Sequence, residues 1–293
     1  MSPTFGIAFG GGGARGLAHI HVIEALDELG IRPVAISGSS IGAVMGAGMA
    51  AGITGKDIRE HAHSILTHRA EVATRMWRAR PGTFAEMMEG GFRVSQFNIE
   101  RILNAFLPEA VPDTFAELEI PLKVTATDFF GHKLVVISDG DLHSALAASA
   151  AIPAVFRPVV RDGRMLIDGG IYNPVPFDLI EQEADIIIAI DVVGAPSDAE
   201  RKHPTTVDLM FGATQLMMQS IITNKLRRCR PDILIRPPVS RFRVLDFMKV
   251  DAVMAETASV KDEVKRAIET AIEARLQGDS EPKAPKRPTP SKR

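Results

Sequence analysis

The sequence predicts a three-layer α/β/α fold with a mostly parallel central sheet, on three observations. Short apolar runs bounded by turn residues alternate with helical patterns along most of the 293 residues, an order that builds a parallel sheet between layers of helices. The run Ile186-Ile187-Ile188-Ala189-Ile190 shows no polar alternation, as suits a strand covered on both faces. Glycines gather at Gly11 to Gly16 and at Gly38 to Gly42, where strands hand over to helices.

Taken in order, residues 5–9 read as a short buried strand and 14–29 as the helix after it. Residues 34–37 form a second strand, followed directly by the small-residue helix 41–51. Further strands are expected at 122–127, 133–137, 165–167, 186–192 and 233–235. Two stretches fit the alternation less well. Residues 53–112 are mixed, rich in Met and Arg, and carry the only tryptophan, Trp77. Residues 207–226 read as a helix apolar around much of its circumference, through Leu209, Met210, Leu216, Met217, Met218, Ile221 and Ile222. A long amphipathic helix follows, in which Val250, Val253, Met254, Val260, Val264, Ala267, Ile268, Ala271, Ile272 and Leu276 form one stripe at helical spacing. Residues 278–293 are rich in Pro and Lys, a composition that cannot bury a core, so a disordered tail is expected. Residues 1–277 are expected to be one domain, with a motif-bearing core over 5–191 and a helical part over 192–277.

Composition narrows the class. The chain is 45% hydrophobic and 24% charged, as in an ordinary soluble protein. A net charge of −2 gives no general pull toward nucleic acid. Cys229 is the only cysteine, so no disulfide framework is expected and a reducing, cytoplasmic setting is the simplest reading. The first residues lack the basic segment of a secretory leader. The longest apolar stretches, such as 41–52, fall short of the roughly 20 residues that span a bilayer. Contact with a membrane surface stays open.

Three motifs carry chemistry. Gly11-Gly12-Gly13-Ala14-Arg15-Gly16 comes directly after a strand and opens a helix. Glycines there let backbone N–H groups turn outward without Cβ clashes, at the positive end of a helix dipole. Such a loop receives negative charge, either a phosphate or the oxyanion of a tetrahedral intermediate. Gly38-Ser39-Ser40-Ile41-Gly42 is a G-x-S-x-G between a strand and a helix. A nucleophile elbow needs that setting, because a sharp turn pushes the hydroxyl out and the flanking glycines, Gly38 and Gly42, avoid steric conflict. Asp168-Gly169-Gly170 is a strand ending in a carboxylate. Asp128 and Asp191 also end expected strands, so position alone does not separate Asp168 from them.

In this order and spacing the three motifs resemble the patatin-like phospholipase family. The segment Ala147-Ala148-Ser149-Ala150-Ala151-Ile152-Pro153-Ala154-Val155-Phe156-Arg157-Pro158-Val159 is similar to the block that family carries before its Asp, and Asn173-Pro174-Val175-Pro176 to the one after it. Bacterial members related to the catalytic domain of neuropathy target esterase are the nearest in appearance. The resemblance is strong over residues 5–191 and looser through 231–235 and 245–247. It implies a serine acyl-ester hydrolase acting on lipid esters, of the phospholipid or lysophospholipid class, with no cofactor and no metal. It implies Ser40 as nucleophile, Asp168 as its base, and the N–H groups of Gly11, Gly12 and Gly13 as the oxyanion hole. Arg15 and Gly16 would support that loop, with an anionic head group as the alternative partner of Arg15.

Other readings compete. A histidine triad needs a His after Asp168, and only His203 qualifies, in a polar segment that reads as a surface loop. His19 and His21 read as structural, and His61, His63 and His68 as a solvated helix face rather than a metal site. Gly11-x-Gly13-x-x-Gly16 formally fits a dinucleotide-binding loop, yet the second strand ends in Ile36-Ser37-Gly38-Ser39 without the acid that would hold a ribose. No Gly-Lys-Ser/Thr follows for a P-loop. A non-catalytic lipid- or partner-binding protein on the same fold is the remaining rival. Met76, Trp77, Phe84, Met87, Met88 and Phe92, among Arg69, Arg75, Arg78, Arg80 and Arg93, read either as an apolar lid with a basic rim or as core packing. Helix 207–226 carries the same two readings and a third, a dimer interface, so a homo-oligomer stays open.

Overall fold

The computed structural model describes residues 2–67, 97–196 and 205–278. In chain order the strands are β1 (Phe5–Phe9), β2 (Ala35–Ser39), β3 (Leu122–Asp128), β4 (Lys133–Ile137), β5 (Val159–Arg161), β6 (Arg164–Asp168), β7 (Ile186–Ile190) and β8 (Ile233–Ile235). The helices are α1 (His19–Glu28), α2 (Ile41–Ala50), α3 (Gly55–Leu66), α4 (Ile99–Phe106), α5 (Leu142–Ser149), α6 (Thr206–Leu226), α7 (Val250–Glu256) and α8 (Val260–Gly278). All eight strands join one sheet in the order β5-β6-β3-β2-β1-β7-β8, with β4 on β3. Pairing is parallel from β8 through β7, β1 and β2 to β3, and antiparallel where β4, β5 and β6 join. The architecture is the expected α/β/α sandwich.

Strand alternation assigns the two faces. Phe5, Ile7 and Phe9 of β1 enter the larger core with Ile36, Val124, Ile186, Ile188 and Ile190, covered by α1, α2, α5, α7 and α8. Ala8, Ile187 and Ala189 face the other way, onto Val175, Phe177 and Ile180 and onto Ile222 of α6. The second face uses smaller strand residues, and its cover is one loop and one helix. Fully burying a Leu, Ile or Phe side chain is worth about 1.5–3 kcal/mol, so the first face holds the greater share of the stabilisation.

Several expected boundaries move. The stretch 14–29 opens as a 3-10 turn, Gly13–Ala18, before α1 takes over. The long C-terminal helix is two helices, because the apolar stripe skips a turn at Thr257, Ala258 and Ser259. The Thr257 hydroxyl there donates to the Val253 carbonyl at 2.7 Å. Part of 53–112 forms α3 and α4, each capped by a side chain, Thr54 and Asn98. The arginine- and methionine-rich part of that segment, the His203 loop and the tail 279–293 lie outside the described residues.

One feature of the sheet positions the chemistry. β4 takes one edge of β3, and the other edge is shared. β2 pairs in parallel along Leu122 to Thr125, and β6 pairs antiparallel along Ala126 to Asp128. β2 and β6 therefore run toward each other, and their last residues, Ser39 and Asp168, sit opposite adjacent residues of β3, Thr125 and Ala126. Two chain segments far apart in sequence end face to face.

Candidate active site

Ser40 occupies the gap where these strand ends meet. Its backbone lies at φ 54° and ψ −127°, a positive φ that is uncommon for a residue with a Cβ and costs about 1–3 kcal/mol. Tight packing enforces the turn. A Cβ on Gly42 would stand 2.2 Å from the Phe9 carbonyl oxygen, and one on Gly38 would stand 2.5 Å from Ala43 Cα. The glycines let α2 start directly against β1, which turns the Ser40 side chain toward the end of β6.

The hydroxyl of Ser40 donates to Asp168 Oδ2 at 2.6 Å, and both residues are buried. The Gly170 N–H donates to the other carboxylate oxygen at 2.7 Å. Burial pushes the Asp168 carboxyl up to about 6, against the opposing pull of the Ser40 and Gly170 hydrogen bonds. The carboxylate is thus a stronger base than a solvated Asp and is still mostly ionised at neutral pH. Asp128 and Asp191 share its strand-end position without its contact to Ser40. Asp128 accepts from the Gly131 N–H in a turn, and Asp191 faces Arg236 and the Val193 N–H.

One short segment holds both members of the pair. The Ser149 hydroxyl, at the end of α5, accepts the Ser40 N–H at 2.8 Å, and the Ala151 carbonyl accepts the Asp168 N–H at 3.1 Å. The Thr127 hydroxyl adds a 2.9 Å bond to the Asp168 carbonyl. Sequence reasoning gave these three residues no role, although Ser149 and Ala151 lie in the segment that resembles the family. A buried hydroxyl among alanines, Ala147-Ala148-Ser149-Ala150-Ala151, was the available signal, since a polar group there needs a partner.

The glycine loop lies beside Ser40: a Cβ on Gly11 would stand 3.2 Å from Ser40 Cβ. The Gly11 N–H is already given to the Pro174 carbonyl at 2.9 Å. The N–H groups of Gly12 and Gly13 take no partner among the described residues. Close contact requires glycine at both. A Cβ would stand 2.4 Å from the Val192 carbonyl oxygen at Gly12 and 2.2 Å from that of Val244 at Gly13, where φ is +60°. Gly16 clears Ile41 of α2, whose Cγ2 would stand 2.4 Å from a Cβ. Arg15 is buried, and its guanidinium donates to the Phe242 and Val193 carbonyls at 2.7 and 2.5 Å, which ties the loop to the segments behind it. It also lines a cavity of about 260 Å³ with Asp208, Phe211 and Arg243.

The histidines are engaged elsewhere. His19 is fully buried, its Nε2 bonded to the Gly10 carbonyl at 2.9 Å, and burial holds it neutral with a pKa lowered to about 4. His21 bonds the Met254 carbonyl and His61 the Phe106 carbonyl, while His63 faces Asp251; His68 lies outside the described residues. No group of three or more His, Cys, Asp or Glu placed to hold a metal occurs among the described residues.

A family model described as patatin-like phospholipase matches residues 7–180, more than half of the chain and all of the motif residues. An uncharacterised NTE family protein of Mycobacterium tuberculosis is 38% identical over 204 residues, which make up 68% of this chain and 52% of that protein. Patatin-like phospholipase domain-containing protein 7 of Rattus norvegicus is 30% identical over 278 residues, covering 84% of this chain and 19% of its own length. The chain thus spans about half the length of the mycobacterial relative and far less of the rat protein. Among solved structures, human GIVD cytosolic phospholipase A2 is 13% identical with a TM-score of 0.46, over 94% of this chain and 60% of its own. VipD from Legionella pneumophila is 15% identical with a TM-score of 0.42, over 88% and 67%.

Proposed function

The chain belongs to the patatin-like phospholipase family, and from that premise we propose that it is a serine hydrolase of lipid acyl esters, of the phospholipid or lysophospholipid class, working through Ser40 and Asp168. The observation that carries this reading is the buried 2.6 Å hydrogen bond between the Ser40 hydroxyl and the Asp168 carboxylate. A hydroxyl held so close to a base of raised pKa can give up its proton as it attacks.

In this reading Asp168 takes the Ser40 proton while Oγ bonds to the acyl carbon, and the carbonyl oxygen becomes an oxyanion. The N–H groups of Gly12 and Gly13, without a partner among the described residues, receive that charge. The Gly11 N–H, bonded to Pro174, serves to hold the loop. Asp168 returns the proton to the departing alcohol as the ester C–O bond breaks, leaving acyl-Ser40. It then takes a proton from a water that attacks the acyl group, and the acid leaves as Ser40 regains its hydrogen. Gly170 keeps the carboxylate oriented through both halves.

Labelling of the full chain with a fluorophosphonate probe tests this. The adduct is expected on Ser40 and is expected to vanish in Ser40→Ala. A chain that turns over p-nitrophenyl butyrate while its adduct maps to another residue would remove Ser40 from the mechanism.

A further inference from the structure

α6 is built inside out. Only two of its 21 residues are charged, Asp208 and Lys225, and both turn inward. Asp208 closes a capping box with Thr205 and faces Arg243 at 3.7 Å. Lys225 is half-buried against the Asn173 side chain, the Val175 carbonyl and Asp178, and so anchors the loop that carries Pro174. The outward face holds Leu209, Met210, Leu216 and Met217, each 55 to 60% exposed. Steps of three and four residues through Ala213 place them on one side of the helix. An apolar face of this kind marks a contact surface.

Cations frame it. Arg243 and Lys249, toward the N-terminal end, have side chains 58% and 55% exposed, while the acids they pair with, Asp208 and Asp246, are 17% and 18% exposed. At the other end Arg227 and Arg228 are exposed and make no ion pair among the described residues. Positive charge faces out and negative charge is tucked beneath. Two copies meeting across this face would bring like charges together, which costs energy. A layer of anionic head groups would match the cations, and its acyl region would take up the Leu and Met side chains. No described helix is long and apolar enough to cross a membrane, so contact would be in the plane of the interface.

The opposite, inner side of the same helix adjoins the Ser40–Asp168 pair. Met218 packs where a Cβ on Gly170 would stand 2.8 Å from its Cε, and the Gly170 N–H holds Asp168. We propose that the outer face of α6 and its framing cations dock on an anionic lipid surface, bringing Ser40 to esters that lie in it. This rests on the hydrolase reading for the substrate, but docking is measurable without hydrolysis.

The experiment uses the full chain carrying Ser40→Ala, so that no lipid is consumed. Sedimentation with vesicles of phosphatidylcholine alone, and of equimolar phosphatidylcholine and phosphatidylglycerol, reads binding, and sedimentation equilibrium reads the oligomeric state. Binding to the anionic vesicles is expected, with much weaker binding to the neutral ones. Leu216→Glu with Met217→Glu should weaken it by roughly tenfold or more, and Arg227→Glu with Arg228→Glu should do so selectively on the anionic vesicles. Circular dichroism and thermal unfolding check that the exposed substitutions leave the fold intact. No vesicle binding, or binding that ignores both pairs of substitutions, overturns the proposal. So does a dimer that the Leu216 and Met217 substitutions dissolve, since the face would then be covered by a second copy. Failure here with Ser40 still labelled in the wild-type chain leaves the hydrolase reading standing.

Discussion

α2 and α6 are both helices rich in apolar residues, and they meet the sheet in opposite ways. α2 is made of Ile, Gly, Ala, Val and Met, and its glycines bring it against β1 closely enough that a single added Cβ would strike the Phe9 carbonyl. α6 carries long Leu and Met side chains, packs through Gln215, Met218 and Ile222, and leaves its other side in solvent. Side-chain size explains the contrast. Small residues let a helix sit directly on strand ends and fix the angle of one hydroxyl, whereas long flexible ones cover area without fixing position. In the proposed reading, the α2 end of the molecule governs chemistry and the α6 face governs what that chemistry reaches.

Substitutions around the elbow can break or sharpen this contrast, and the largest effect is expected at Asp168. Asp168→Asn should lower kcat for p-nitrophenyl butyrate by roughly 10³-fold or more, because nucleophile and base act as a unit. Wild-type turnover should fall as pH drops through about 6, since the group must be ionised to accept a proton and burial has raised its pKa to about 6. A wild-type profile flat down to pH 4, or a larger loss in Asp191→Asn, would remove Asp168 as the base. Next comes Gly12→Val. Its Cβ would lie 2.4 Å from the Val192 carbonyl oxygen, so the loop must shift and lose a donor, at roughly 10²-fold in kcat. Undiminished turnover in the folded variant would mean that the loop receives some other ligand.

The smallest expected effect is at Ser149. Ser149→Ala leaves the Ser40 N–H without its acceptor and loosens the elbow without touching the reacting atoms. A loss of roughly tenfold in kcat with KM little changed is expected, in line with the sensitivity of rate to small misplacement. Ser149→Thr, which keeps the hydroxyl, should recover part of it. Equal losses in both variants would point to packing at α5 rather than to the hydrogen bond.

Much of the fold was legible in advance. The strands at 5–9, 133–137 and 233–235 fall on their expected residues, and others shift by a residue or two. α5 and β5 were not anticipated: α5 is short and alanine-rich without a clear periodic stripe, and β5 has three residues. The two-helix C-terminus escaped notice because Thr257 interrupts a pattern that otherwise continues.

By itself the sequence determined where strands hand over to helices and which junctions carry glycine, because backbone sterics act within a few residues. It also supplied Ser40, which needs only its own G-x-S-x-G setting. The family resemblance pointed to Asp168, but only the tertiary structure gives the physical reason why that one of three strand-end carboxylates meets the hydroxyl. The choice depends on β2 and β6 sharing one edge of β3, and on burial that raises Asp168 while Asp128 and Asp191 go to a turn and an arginine. It likewise decided that Ser149 grips the elbow and that α6 turns its charges inward. The Asp128 turn apart, such outcomes arise from contacts between segments that lie from tens of residues apart up to the 128 between Ser40 and Asp168, and local pattern holds no record of them.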